Sequence, residues 1–283
     1  MSKIKLTECP RDAMQGIHEF IPTVLKAEYI NSILKVGFDV VDFGSFVSAK
    51  AIPQLKDTKE VLGLLDLSSA SKLLSIVANS KGAKEAAEFK EISIVGFPFS
   101  VSETFQIRNT NSTRIQSIES VKEIKDITDK VDQKLRIYLS MGFGNPYGDD
   151  FTPEIVLDWA YKLNEIGVDE LALSDTIGVS NSLNIPAIYG LLHKELPNME
   201  LSVHLHSAAH NWKEKIVSAY SAGCRSFDSA IKGYGGCPLA KDDLVGNLAT
   251  ENLIKYFQNK LPVNFNLDLF SRSMKVSQKV FLP

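Results

Sequence analysis

The sequence predicts an α/β fold, a closed (β/α)8 TIM barrel with a short C-terminal helical extension. Three observations predict it. Eight strand-like runs alternate with helix-like segments from end to end, and a length of 283 residues suits one such barrel. No Gly-x-Gly-x-x-Gly turn follows the first strand, which weighs against the nearest rival, an open doubly wound sheet.

The strand-like runs come in order. Ile4–Glu8 alternates apolar and polar residues, and Asp39–Phe43 is a short apolar run between acids and a glycine. Leu73–Ala78, Ile92–Phe97 and Leu135–Ser140 are near-continuous apolar runs, as strands covered on both faces should be. Glu170–Ser174, Leu201–His206 and Arg225–Ile231 complete the eight. Helical periodicity marks 25–36, 83–89, 115–131, 153–166, 185–196, 213–222 and 248–258. Gly37, Gly167 and Gly223 each fall between a helix and the next strand, where a left-handed cap is commonly wanted. We expect a single domain, with the barrel over about 3–258 and an extension over 259–283 that holds a helix at 267–280.

Hydrophobic residues make up 44% of the chain and charged residues 23%, the balance of an ordinary globular protein with a large core. A net charge of −3 argues against nucleic acid or an anionic membrane as the main partner. The N-terminus has no apolar signal core and no stretch approaches a membrane span, so the expected location is the cytoplasm. Cys9, Cys224 and Cys237 are few, odd in number and widely spaced, which favours free thiols over a disulfide framework.

The unusual polar residues follow the strands, where such barrels build their sites. After strand one come Glu8, Cys9, Arg11 and Asp12; after strand two, Asp42 and Ser45; after strand four, Glu103; after strand six, Ser174, Asp175 and Thr176. In Leu201-Ser-Val-His-Leu-His206 the two imidazoles fall on one face of the seventh strand. At roughly 6–7 Å between Cα atoms they can share one divalent metal. Strand eight leads into a glycine loop with Cys237 and on to Asn247. Barrel closure brings strand eight beside strand one, so Asp12, the histidine pair and Asn247 become neighbours, a nitrogen and oxygen shell suited to Mg²⁺ or Mn²⁺. Plainer readings stand beside this one. The histidines can be hydrogen-bonded barrel residues, Asn247 can cap the last helix, Asp12 can pair with Arg11, and Cys237 can be a small residue in a glycine turn.

Six segments together resemble one family: Pro10–Gln15, Gly44–Lys50, Ser174–Gly178, Val203–His206, Gly235–Pro238 and Gly246–Glu251. In order and coverage they are similar to the 3-hydroxy-3-methylglutaryl-CoA lyases, metal-dependent barrel lyases related to isopropylmalate and homocitrate synthases. The segment Ser140–Tyr147 resembles the lyases' loop after strand five. The resemblance implies that Asp12, His204, His206 and Asn247 bind the divalent cation and that Arg11 stabilises an enolate. It implies that Cys237 takes part in proton transfer and that Asp175 is an acid near the substrate; as donor to the enolate carbon, Cys237, His204 and a metal-bound water all stay open. Gln15, Ser45 and Asn145 lie in these segments and become candidate substrate contacts. The implied chemistry is a retro-Claisen cleavage of an acyl-CoA to acetyl-CoA and acetoacetate, as in leucine degradation, in a protein that is a homodimer or larger.

The chain also departs from the pattern. Asp42 stands where a glutamate is usual and is expected to support Arg11 less directly; Ser207 stands where an aspartate is usual. The stretch from Cys237 to Asn247 is one residue longer than usual and carries Asp242 and Asp243. Two rival functions follow: a condensing synthase acting on a 2-oxo acid, and a barrel that binds acyl-CoA without catalysis. The chain ends soon after its barrel, which favours the lyase over the synthase.

Overall fold

The computed structural model describes residues 3–236, 245–262 and 265–281. Eight parallel strands close in sequence order, each bonded to the next and β8 to β1. They are β1 (Lys5–Glu8), β2 (Val40–Ser45), β3 (Lys72–Ile76), β4 (Ile92–Ser100), β5 (Lys134–Ser140), β6 (Glu170–Ser174), β7 (Glu200–His204) and β8 (Ser226–Ser229). The expected TIM barrel is therefore what the chain forms. All eight expected runs are strands, shifted by a few residues at their ends. The register of β2 against β3 slips between Asp42 and Gly44.

Alternation along the strands sorts side chains into two layers. Val40, Leu74, Ile76, Ile94, Tyr138 and Ala172 pack together inside the barrel. Leu73, Val95, Ile137, Leu171 and Val203 point outward into the larger core beneath the helices. The expected helices form with similar bounds, as at Pro153–Ile166, whose C-cap Gly167 takes the left-handed conformation at φ 86°. Three further helices had no clear periodic signal because they are short: Pro10–Gln15, Thr58–Leu62 and Glu103–Thr110. The first matters most. Pro10 at its start fixes φ where no N–H is needed, so the chain turns into helix directly after β1 and stacks Arg11, Asp12 and Gln15 over one turn.

The C-terminal helix, Leu267–Phe281, docks along the helix Thr23–Leu34. Phe281 meets Tyr29 edge-on at 5.7 Å, and Lys279 pairs with Glu28. At its end Phe281 also stacks on Tyr234 at 4.2 Å, which ties this helix to the glycine loop after β8. No helix among the described residues is long and apolar enough to cross a membrane.

Candidate active site

A pocket of about 430 Å³ opens at the C-terminal ends of the strands, walled by Arg11, Asp12, Gln15, Tyr138, His204 and His206. A larger cavity, about 780 Å³, lies at the opposite mouth against Lys5, Arg136 and Glu170, away from every candidate residue. The C-terminal pocket is thus the one that collects the chemistry.

Arg11 is 7% exposed and almost wholly engaged. Its Nε lies 3.0 Å from Asp42 Oδ2 and its Nη2 2.6 Å from the same oxygen; its Nη1 donates to Gln15 Oε1 at 2.9 Å and Asp12 Oδ1 at 3.2 Å. The expectation that the shorter Asp42 would support Arg11 less directly is overturned. The bend of β2 between Asp42 and Gly44 accompanies a fully buried Asp42 that grips the guanidinium side-on through two nitrogens. Burial works against the charge of Arg11, but Asp42 and Asp12 more than offset it and hold the guanidinium firmly protonated.

His204 closes β7, while His206 lies beyond its last ladder pair. The reading that put both on one strand is corrected in that detail. Past His204 the chain leaves the sheet and pairs with the segment before the helix Thr250–Tyr256: Ser207 N–H donates to Gly246 O at 2.8 Å and Leu248 N–H to Leu205 O at 3.1 Å. This small antiparallel bridge sets His206 opposite Asn247 and still turns both rings inward, with centroids 5.5 Å apart. Asn247 is not a helix cap, since Ala249 holds that position. Its Nδ2 donates instead to Asp12 Oδ2 at 2.7 Å and Tyr234 O at 2.9 Å. Gly235 makes this approach possible. At φ +96° a Cβ there would lie 2.7 Å from Asn247 Nδ2 and 3.0 Å from Asp12 O.

A carboxylate oxygen of Asp12 and one ring nitrogen each of His204 and His206 lie within 4.8 Å of one another. Small rotations bring such a set to about 2.1 Å from one centre, so the donors fit a divalent cation. The electrostatics of Asp12 and His206 agree. Burial raises Asp12, but Arg11 and His204 lower it further, so it is ionised. Burial, helped by His204, pushes His206 down to about 4, which leaves it neutral and free to donate a lone pair. Burial lowers His204 too, but its bond to Asp228 and the charges of Asp228 and Asp12 together raise it, so this ring must give up a proton before it can bind a cation. Cys9, His204 and Asp228 form a second close triad, yet Arg136 already occupies Asp228, and burial raises the Cys9 thiol so that it stays neutral.

Sequence reasoning missed several of these groups. Asp228 on β8 accepts from His204 Nδ1 at 3.3 Å, which leaves Nε2 as the nitrogen free for a ligand. Arg136 bonds Asp228 at 3.2 Å and Glu170 at 2.8 Å, so a chain of charges runs down the barrel axis from His204. Tyr138 stands edge-on to His204 at 5.7 Å with its buried hydroxyl unpartnered. Strand parity puts all four inside the barrel, but no motif marks them.

Other candidates fall elsewhere. Ser45 and Asn145 are not in the pocket wall. Ser45 Oγ donates to Ile76 O and accepts from Val47 N–H, and Asn145 organises its own loop through Tyr147 and Asp149. Asp175 is buried behind the wall, held by Lys215 and Ser180, while its neighbours Ser174 and Thr176 line the pocket. Cys237, like Asp242 and Asp243, lies outside the described residues.

Comparison with known proteins agrees with this geometry. The family model described as HMGL-like matches residues 4–280. The cytoplasmic 3-hydroxy-3-methylglutaryl-CoA lyase of Rattus norvegicus is 32% identical over 94% of this chain and 77% of its own length. The hydroxymethylglutaryl-CoA lyase of Bacillus subtilis is 31% identical over 92% of this chain and 86% of its own. Among solved structures, the Bacillus subtilis HMG-CoA lyase superposes with a TM-score of 0.92 at 29% identity, covering 99% of this chain and 94% of its own. An HMG-CoA lyase from Acinetobacter baumannii, solved with coenzyme A and 3-methylmalate, gives 0.91 at 27% identity over 98% of this chain and 91% of its own. A family model that spans nearly the whole barrel, with relatives aligned along the same length, means that this chain belongs to the HMGL-like family of carbon–carbon lyases.

Proposed function

We propose that this protein is a divalent-metal-dependent hydroxymethylglutaryl-CoA lyase that cleaves 3-hydroxy-3-methylglutaryl-CoA to acetyl-CoA and acetoacetate. The observation that carries the reading is the Asp12, His204 and His206 donor set beside the guanidinium of Arg11 in one pocket. Asn247 would complete the ligand set through its amide oxygen. A bound Mg²⁺ or Mn²⁺ supplies Lewis acidity toward the substrate's hydroxyl and carboxylate oxygens.

This chain's residues do the rest. The C3 hydroxyl loses its proton to a base, the C2–C3 bond breaks, and its electron pair becomes the enolate of acetyl-CoA as acetoacetate forms. Arg11, clamped by Asp42, presents a fixed positive charge where that enolate oxygen develops. Asp228 keeps the His204 ring from turning. A proton then returns to C2, and Cys237 is our proposed donor, with His204 the second candidate. The Acinetobacter baumannii relative was solved with coenzyme A, which supports an acyl-CoA ligand for this pocket.

The test is acetoacetate release by the purified, folded protein after chelation and after replacement with Mg²⁺ or Mn²⁺. Release only with metal is expected; none after replacement overturns the assignment. We further propose one catalytic domain acting in the cytoplasm as a homodimer, within leucine degradation. Relatives named cytoplasmic and relatives named mitochondrial both occur, so fractionation of the native host decides the location. Light scattering of the purified protein decides the assembly.

A further inference from the structure

Lys215 is 1% exposed on the helix Trp212–Ser221, a position where an unpaired ammonium would be strongly disfavoured. All three of its protons are used. Nζ donates to His206 O at 2.7 Å, Asp175 Oδ2 at 2.8 Å and Gly178 O at 2.9 Å. Ser180 completes Asp175, its N–H donating to Oδ1 at 3.1 Å and its Oγ to the same Oδ2 at 2.5 Å. A buried lysine and carboxylate of this kind are weak evidence for stability alone, because apolar residues of similar size often serve as well. Their placement points to another role. The ladder pairs of β7 end at His204, so no strand accounts for the carbonyl of His206. The bridge to Asn247 fixes the chain on one side of His206, and the Lys215 ammonium holds its carbonyl on the other. The same ammonium grips the loop after β6, which supplies Thr176 to the pocket wall beside Ser174 at the end of the strand.

We propose that Lys215 is a positioning residue that sets the direction of the His206 ring, and so the affinity of the site for its divalent cation, by pinning the His206 carbonyl to the loop after β6. The proposal rests on the reading of Asp12, His204 and His206 as ligands and adds a residue that touches neither cation nor substrate.

The test reads Mn²⁺ binding directly, from the paramagnetic signal of free Mn²⁺ titrated with metal-free protein. Lys215→Met removes the ammonium but strands Asp175 in the interior, which endangers folding. Lys215→Met with Asp175→Asn removes both charges and is the decisive variant, with Asp175→Asn alone as control. Loss of an outer hydrogen bond of this kind weakens metal binding by about 10- to 100-fold. That loss is expected in the folded double variant, with Asp175→Asn binding like wild type and Lys215→Arg restoring part of the affinity. A folded double variant that binds Mn²⁺ as tightly as wild type overturns the role of Lys215 and leaves the ligand reading intact. Failure of the wild type itself to bind Mn²⁺ overturns both.

Discussion

Replacing Glu8 by glutamine should remove a pH-dependent loss of stability. Glu8 ends β1, fully buried behind the loop that leads to Asn247, and burial pushes its carboxyl up to about 8 despite bonds from Thr250 and Ile231. The bonding pattern agrees with a neutral acid. Oε1 accepts from Ile231 N–H at 2.7 Å, while the Thr250 hydroxyl stands 2.6 Å from Oε2 and 2.9 Å from Ser229 Oγ. Thr250 has one proton for two neighbours, and a neutral Glu8 that donates to Thr250 leaves Thr250 free to donate to Ser229; an ionised Glu8 needs Ser229 to donate to Thr250 instead. The sign follows. In the unfolded chain Glu8 ionises near its ordinary 4.5, and in the folded protein only near 8. Stability is therefore full below the lower value, falls by about 1.4 kcal/mol per pH unit between the two, and levels off above the higher. The accumulated loss is on the order of 5 kcal/mol, a large part of a typical folding free energy. Glutamine keeps both bonds without titrating, though its second N–H lacks a partner, which offsets the gain by about 1 kcal/mol at every pH. Thermal unfolding of both proteins from pH 5 to pH 9 is the assay. The variant should melt near or slightly below wild type at pH 5 and above it at pH 8–9, by on the order of 10 °C. A difference between the two that does not change with pH would refute the argument.

Three further outcomes follow from the site. Asp228→Asn keeps the shape but leaves His204 free to take the wrong tautomer, so Mn²⁺ affinity should drop about 10- to 100-fold while circular dichroism is unchanged. Gly235→Ala drives a methyl into Asn247 and the Asp12 carbonyl at a strained φ, so turnover should fall steeply with a smaller loss of melting temperature. Asp42→Ala leaves Arg11 buried without its main partner and should destabilise by about 3–5 kcal/mol, measured by urea unfolding; an Asp42→Glu variant that restores turnover would separate charge from fit.

The barrel was legible because its evidence is redundant. Apolar runs of strand length recur between helical periods, so shifting any one boundary changes nothing in the count, and the observed ends of β4 at Ser100 and β7 at His204 moved without consequence for the topology. The ligand candidates were legible for a different reason. Asp12 comes soon after β1, His204 ends β7 with His206 two residues on, and Asn247 lies on the stretch that follows β8, so barrel closure makes them neighbours. What stayed hidden depends on distances that spacing does not encode. Asp228 reads as one acid in a polar strand until β7 and β8 pair His204 with it in register. Lys215 reads as one more surface lysine between Glu214 and Ile216, because a helical period cannot tell a charged residue that faces water from one whose ammonium reaches inward to a carbonyl on a neighbouring loop. Asp42 shows the limit from the other side. Its chain length suggested a weaker hold on Arg11, but the side-chain reach that matters is measured from a backbone whose register slips just past that residue, and the slip appears only in the folded sheet.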